Sequence, residues 1–292
     1  MKLILENITK TYSNGVKALD DISITIKVGM FGLLGPNGAG KSSLMRTIAT
    51  LQEPDSGSLF LDEINIVKQK FELRKILGYL PQDFGVYPKI SAEVLLDHFA
   101  ALKGISNKTE RKDIVTSVLQ LTNIYEHRKK NLGGYSGGML QRFGIAQALL
   151  ANPKLIIVDE PTAGLDPSER QRFLNLLREI GGNSIVILST HIVDDVNELC
   201  NKVAILNRGK ILLTDSPANA IKSLNGKIWH KAIDKEELDN YKQQFNVISS
   251  RFEENNLLGI HVLNDSLPNE SFTSINPNLE DVYFCALSTN ET

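Results

Sequence analysis

The segment Gly35-Pro36-Asn37-Gly38-Ala39-Gly40-Lys41-Ser42 fits the pattern G-x-x-x-x-G-K-[ST], and no other part of the chain restricts its fold as much. The apolar run Met30–Leu34 reads as a strand leading into it. A helical pattern from Lys41 to about Leu51 leads out. In that setting Gly35, Pro36, Asn37, Gly38, Ala39 and Gly40 form a tight turn whose backbone N–H groups surround a phosphate, at the positive end of the following helix. Lys41 is then expected to bridge the β- and γ-phosphates and the Ser42 hydroxyl to ligate magnesium. The plainer reading is a glycine-rich turn with no ligand.

A strand–loop–helix start implies an α/β protein, and the rest of the pattern agrees. Leu3–Ile8 and Ile22–Ile26 are further strand candidates near the N-terminus. Leu155–Val158, Ser184–Leu188 and Val203–Leu206 are compact apolar strands, the first two separated by the helical pattern Pro167–Ile180. That alternation is the mark of a buried, largely parallel sheet. From about Ser91 to Leu150 strand signals vanish and three amphipathic helical patterns follow one another, which reads as a helical insert. After Pro217 short mixed segments (Lys227–Ile233, Val247–Phe252, Leu257–Leu263) alternate with Asn-rich turns, so residues 216–292 read as a small α+β accessory region following a main domain over 1–215.

Composition narrows the function classes. With 292 residues and 42% hydrophobic content the chain can bury roughly three quarters of its unfolded surface. A net charge of −2 with interspersed signs lacks the electrostatic footprint of a nucleic-acid binder, so no direct nucleic-acid partner is expected. Two distant cysteines, Cys200 and Cys285, form neither a CxxC motif nor a disulfide framework and fit a reducing compartment. The first residues, Met1 to Lys10, alternate as a strand does and lack the n- and h-regions of a signal peptide. No stretch approaches the ~20 apolar residues of a membrane helix, so any membrane work falls to a partner.

A magnesium site needs a second rigid oxygen ligand, and the carboxyl end of a buried strand supplies one. Leu155–Val158 ends in Asp159-Glu160. Asp159 is expected to hold the ion, directly or through water, and Glu160 to polarise the water that attacks the γ-phosphate. A second small-residue loop, Ser136-Gly137-Gly138, leads into the helical pattern Met139–Leu150 and can approach a phosphate closely. Read alone such a motif is more often a plain serine N-cap.

Taken with the phosphate loop and Asp159-Glu160, the run Tyr135-Ser136-Gly137-Gly138-Met139 resembles the signature loop of the ATP-binding cassette family, which stands about twenty residues before the paired acids. The resemblance covers roughly residues 1 to 215. It implies a P-loop NTPase cassette with a mixed, largely parallel core sheet, an N-terminal antiparallel β subdomain and a helical subdomain at about 91–150. It also implies roles for residues that stand isolated in the sequence. Tyr12 matches the aromatic that stacks on adenine, and Gln82, after Tyr79-Leu80-Pro81, the glutamine that senses magnesium and couples to the transmembrane partner. Asp166, in Ala163-Gly164-Leu165-Asp166, matches the aspartate that communicates between two sites, and His191 the histidine that contacts the γ-phosphate. Ser43 stands where threonine is commoner, a silent change if Ser42 ligates the metal. Ser136, Gly137 and Gly138 of one subunit would complete the phosphate site of a second, so that two chains, most simply two identical ones, sandwich two ATP molecules.

Met139 in the signature, with Gln141 two places later, resembles the exporter-type (ABC-2) subgroup, as does the tail Pro277-Asn278-Leu279-Glu280-Asp281-Val282-Tyr283-Phe284. The function implied is an ATP-hydrolysing subunit, cytoplasmic and peripheral on the inner face of the membrane, driving a permease on a separate chain. The alternative is a cassette ATPase acting on ribosomes or DNA. Its repair members carry long coiled coils and its ribosomal members two cassettes, and neither is present here.

Overall fold

A computed structural model describes residues 1–82, 84–162, 165–253 and 256–288. In chain order its elements are β1 (Lys2–Thr11), β2 (Lys17–Lys27), β3 (Gly29–Leu34), α1 (Lys41–Ile48), β4 (Ser56–Leu61), β5 (Ile64–Asn65), α2 (Lys70–Lys75) and β6 (Leu77–Leu80). The helical segment follows as α3 (Ala92–Leu102), α4 (Lys108–Leu121) and α5 (Gly137–Leu149). Next come β7 (Leu155–Asp159), α6 (Pro167–Ile180), β8 (Ile185–Thr190), α7 (Val193–Leu199), β9 (Lys202–Asn207) and β10 (Lys210–Asp215). The last elements are α8 (Pro217–Lys222), β11 (Ile228–Ile233), α9 (Leu238–Gln244), β12 (Val247–Phe252), β13 (Leu258–Leu263), β14 (Thr273–Ser274) and α10 (Leu279–Ser288). Contacts group the chain into two compact units, Met1–Asn201 with Leu206–Ile211, and Lys202–Ile205 with Leu212–Thr292.

In the first unit, β2, β1, β4 and β5 form an antiparallel sheet in that order. Leu3, Leu5 and Ile8 of β1 are buried and Leu3 and Leu5 stand opposite Leu61 and Leu59, which gives this sheet its apolar face. A second sheet carries β3, β8, β7 and β6 in that order, all four parallel. Every residue of β7 and β8 is buried, which is why both read as uninterrupted apolar runs rather than alternating ones. Leu34 pairs with Thr190 and Asp159 with Ser189, so the loops after β3, β7 and β8 leave the same carboxyl edge side by side. Ligands of open α/β sheets bind at such an edge.

The second unit is a four-stranded antiparallel sheet of order β12-β13-β11-β14. Alternation along β13 separates its faces. Leu258, Ile260 and Val262 pack with Phe272 and with Leu238, Tyr241 and Phe245 around α9, whereas Leu263 joins Ile228, Ile248, Cys285 and Phe284 against α10. The buried Asp281 fixes α10 to that second face: its Oδ1 lies 2.7 Å from His261 Nδ1 and its Oδ2 accepts the Asn278 N–H at 2.9 Å. Asp281→Ala would strand both partners and is expected to lower stability by about 1–3 kcal/mol, read as a lower midpoint in urea unfolding. Burial pushes the thiols of Cys200 and Cys285 up to about 12, so neither is a thiolate at neutral pH.

The strands and helices named in the sequence are present, α6 with the same bounds and α1 three residues shorter than expected. Strands β4, β5, β6, β10 and β14 and the short helices α2, α7, α8 and α9 were not foreseen. Between β9 and β10, Arg208 and Gly209 both have positive φ (46° and 77°), the geometry of a two-residue turn.

Candidate functional site

The loop between β3 and α1 closes through two glycines. A Cβ on Gly35 would lie 2.3 Å from the Leu206 carbonyl oxygen, and Gly40, at φ 108°, would place one 2.4 Å from that of Ala18. No other residue fits either position without moving backbone. The β9–β10 turn buttresses the loop from behind, with the Gly209 N–H donating to Ala39 O at 2.8 Å. Gly40 caps α1 and Lys41 is its first residue, so the open N–H groups of the helix face the loop. The Lys41 ammonium, only 5% exposed, donates to Gly35 O at 2.7 Å and to Pro36 O at 3.2 Å. Burial draws its pKa down, while the charges of Glu160 and Asp159 hold it up.

Glu160, the first residue beyond β7, is where the three loops converge. Its Oε1 lies 3.6 Å from Lys41 Nζ, and its Oε2 lies 3.4 Å from His191 Nδ1 and accepts from Gln82 Nε2 at 3.3 Å. Its φ of 46° is left-handed, an uncommon conformation for a residue with a long side chain, and its N–H is held by Ser189 O at 2.8 Å. Beside it Asp159 is 3% exposed, and its Oδ1 has no hydrogen-bond partner among the described residues. A buried carboxylate oxygen without a donor suits a cation, so the donor set fits a magnesium ligand.

Tyr12 stands at the end of β1 with its hydroxyl 3.0 Å from Ser43 Oγ, and it donates to Gln52 Oε1 at 3.0 Å. Gln52 in turn donates to Ser43 O and Thr47 Oγ1, a brace on α1 that no sequence motif announced. The structure thus brings Lys41, Gln82, Asp159, Glu160 and His191 together and sets Tyr12 and Ser43 on the flank of α1.

Ser136, Gly137 and Gly138 lie elsewhere, at the start of α5. Ser136 is the N-cap, its Oγ accepting the Met139 N–H at 3.3 Å. A Cβ on Gly138 would meet Glu169 Oε2 at 2.7 Å, and that carboxylate also pairs with Arg142 Nη2 at 3.3 Å. Asp166 caps α6 by accepting the Glu169 N–H at 2.9 Å. Ala163 and Gly164, named with it in the sequence, lie outside the described residues.

The family model for ABC transporters matches residues 19–163. The ABC transporter ATP-binding protein YxlF of Bacillus subtilis (strain 168), which is itself uncharacterized, is 36% identical over 210 residues, 72% of this chain and 69% of its own. The chain belongs to the ABC transporter ATP-binding proteins. The linearmycin resistance ATP-binding protein LnrL of the same organism is 33% identical over 224 residues, 76% of this chain and 71% of its own. A dimeric structure of the ATP-binding cassette MJ0796, in a post-hydrolysis state bound to ADP and Pi, is similar with a TM-score of 0.67 and 26% identity, covering 73% of this chain and 98% of that one. The cassette is accordingly an ATPase. No helix among the described residues is long and apolar enough to cross a membrane.

Sequence reasoning missed a further part of the cassette. The buried Thr162 and Asp195 and the partly exposed Arg170 form a polar cluster that begins two residues after Glu160, and none belongs to a motif read from the sequence.

Proposed function

We propose that this cassette powers an exporter, as one of two identical ATP-binding subunits that dock on a permease carried by a separate chain. One observation carries the reading. Lys41, Glu160, Gln82 and His191 meet at one carboxyl edge, while Ser136 and its glycines are held on α5 by contacts with α6. Such a chain holds one side of a phosphate site and offers the other side to a second copy. The dimeric cassette bound to ADP and Pi and the resistance protein among the relatives support this reading.

In the proposed mechanism the backbone N–H groups of residues 35–40 and the Lys41 ammonium bind the β- and γ-phosphates of ATP, and Tyr12 packs on adenine. Ser42 and Asp159 would hold magnesium, whose charge offsets that of the phosphates. Glu160 accepts a proton from a water as its oxygen attacks the γ-phosphorus and the bond to the β,γ-bridging oxygen breaks, leaving ADP and phosphate. His191 contacts the γ-phosphate, and Gln82 reports its presence toward the permease. In this reading ATP displaces the Lys41–Glu160 ion pair: when the γ-phosphate takes the ammonium, the carboxylate is released to its water. Closure of two subunits on ATP, and their release after hydrolysis, supplies the mechanical step.

A tagged pull-down from detergent-solubilised host membranes tests the partner. Recovery of one polytopic membrane protein in matching amount is expected. Recovery of only soluble proteins, ribosomes or DNA would contradict a transport role.

A further inference from the structure

We infer that Thr162, Asp195 and Arg170 form a positioning clamp that keeps the Glu160 loop and the His191 loop at a fixed separation during turnover. The inference rests on the roles assigned above to Glu160 and His191.

Asp195 is fully buried in the first turn of α7, and its two oxygens are divided between two other segments. Oδ2 accepts the Thr162 hydroxyl at 2.6 Å, within the short range of a charge-assisted O–H···O⁻ bond. Oδ1 accepts from Arg170 Nε at 2.8 Å and Nη2 at 2.7 Å, a two-pronged contact from α6. Thr162 is itself 3% exposed, so water does not compete for that hydroxyl. One carboxylate therefore ties together the chain just after Glu160, the helix that begins just after His191, and the helix that Asp166 caps.

The position explains a feature that the catalytic residues alone leave open. Glu160 has a left-handed backbone, which persists only where its surroundings enforce it. On one side its N–H is held by Ser189 O. On the other, two residues further on, the Thr162–Asp195 bond anchors the chain. Without that anchor Glu160 can relax toward ordinary backbone angles and carry its carboxylate away from the attacking water. His191, four residues before Asp195, loses the same reference point. Among the described residues no hydrogen bond or ion pair joins the three clamp residues to the phosphate loop, so nucleotide binding is not expected to depend on them.

The test is steady-state ATP hydrolysis by the full chain carrying Thr162→Val, Thr162→Ser or Arg170→Gln, with thermal unfolding recorded for each. Valine keeps the shape of threonine and removes the hydroxyl. It is expected to lower kcat by roughly 10–100-fold, the scale of a misplaced catalytic group, with KM for ATP unchanged. Serine, which keeps the hydroxyl, is expected to restore turnover. Wild-type kcat in Thr162→Val, or a loss that Thr162→Ser fails to rescue, would overturn the clamp. Should Thr162→Val not fold, Arg170→Gln decides in its place: a lower kcat at unchanged KM is expected, and wild-type turnover refutes the inference. Glu160→Gln, assayed in parallel, separates this inference from the assignment beneath it. Full turnover in Glu160→Gln removes the role of Glu160 itself, whereas an inactive Glu160→Gln beside a fully active Thr162→Val refutes the clamp alone.

Discussion

Glu160→Gln is expected to leave ATP binding intact and to reduce hydrolysis on the order of a hundredfold or more, the scale of a positioned general base. The substitution preserves the volume and planarity of the side chain, so the contacts of its Oε2 position with Gln82 and His191 have a near-isosteric replacement. What it removes is the proton acceptor. It also removes a negative charge 3.6 Å from the Lys41 ammonium, at the place where the triphosphate must arrive. Ground-state affinity for ATP is thus expected to hold or rise as turnover falls, which gives a long-lived ATP-bound state. Phosphate-release kinetics and equilibrium nucleotide binding, measured on the same variant, separate the two effects.

Lys41→Ala is expected to fail at the earlier step. The ammonium is almost wholly buried and is held by Gly35 O and Pro36 O within the loop that would wrap the phosphates. Truncation strips that loop of its one buried cation, and a lost charge-assisted hydrogen bond corresponds to roughly 10–100-fold in affinity. Burial lowers the Lys41 pKa, a pull that Glu160 and Asp159 offset only in part, and a triphosphate would hold the charged form more strongly. Calorimetric titration with a non-hydrolysable ATP analogue measures the loss. Unchanged affinity would refute the assignment of residues 35–42 to the phosphates.

The two variants also show which parts of the site are legible in a sequence. The phosphate loop is local: its glycines, lysine and serine lie within eight consecutive positions, and the conformational demands on Gly35 and Gly40 follow from chain geometry. The buried strands β7 and β8 declare themselves through unbroken apolar runs, and Asp159-Glu160 by standing at the end of one. Strands β4 and β5 escaped notice because Ser56–Leu61 starts with small residues and Ile64–Asn65 is only two long. The contacts around Glu160 are of another kind. Gln82 and Glu160 are 78 positions apart, and Thr162 and Asp195 are 33 apart. Such pairs are created by the parallel sheet, which sets the ends of β6, β7 and β8 beside one another, and no spacing in the chain encodes them. Tyr12, Gln82, Asp166 and His191 could be singled out only through family resemblance, since each is an ordinary residue type at an ordinary loop or cap position.

Light scattering on Glu160→Gln, with and without ATP and magnesium, reads directly whether two copies close on nucleotide. A particle of 32.4 kDa is expected without nucleotide and one of twice that mass at saturating ATP, as the proposed closure of each copy's signature loop on the phosphates held by the other requires. A particle that stays at the mass of one chain, with ATP bound, would contradict it.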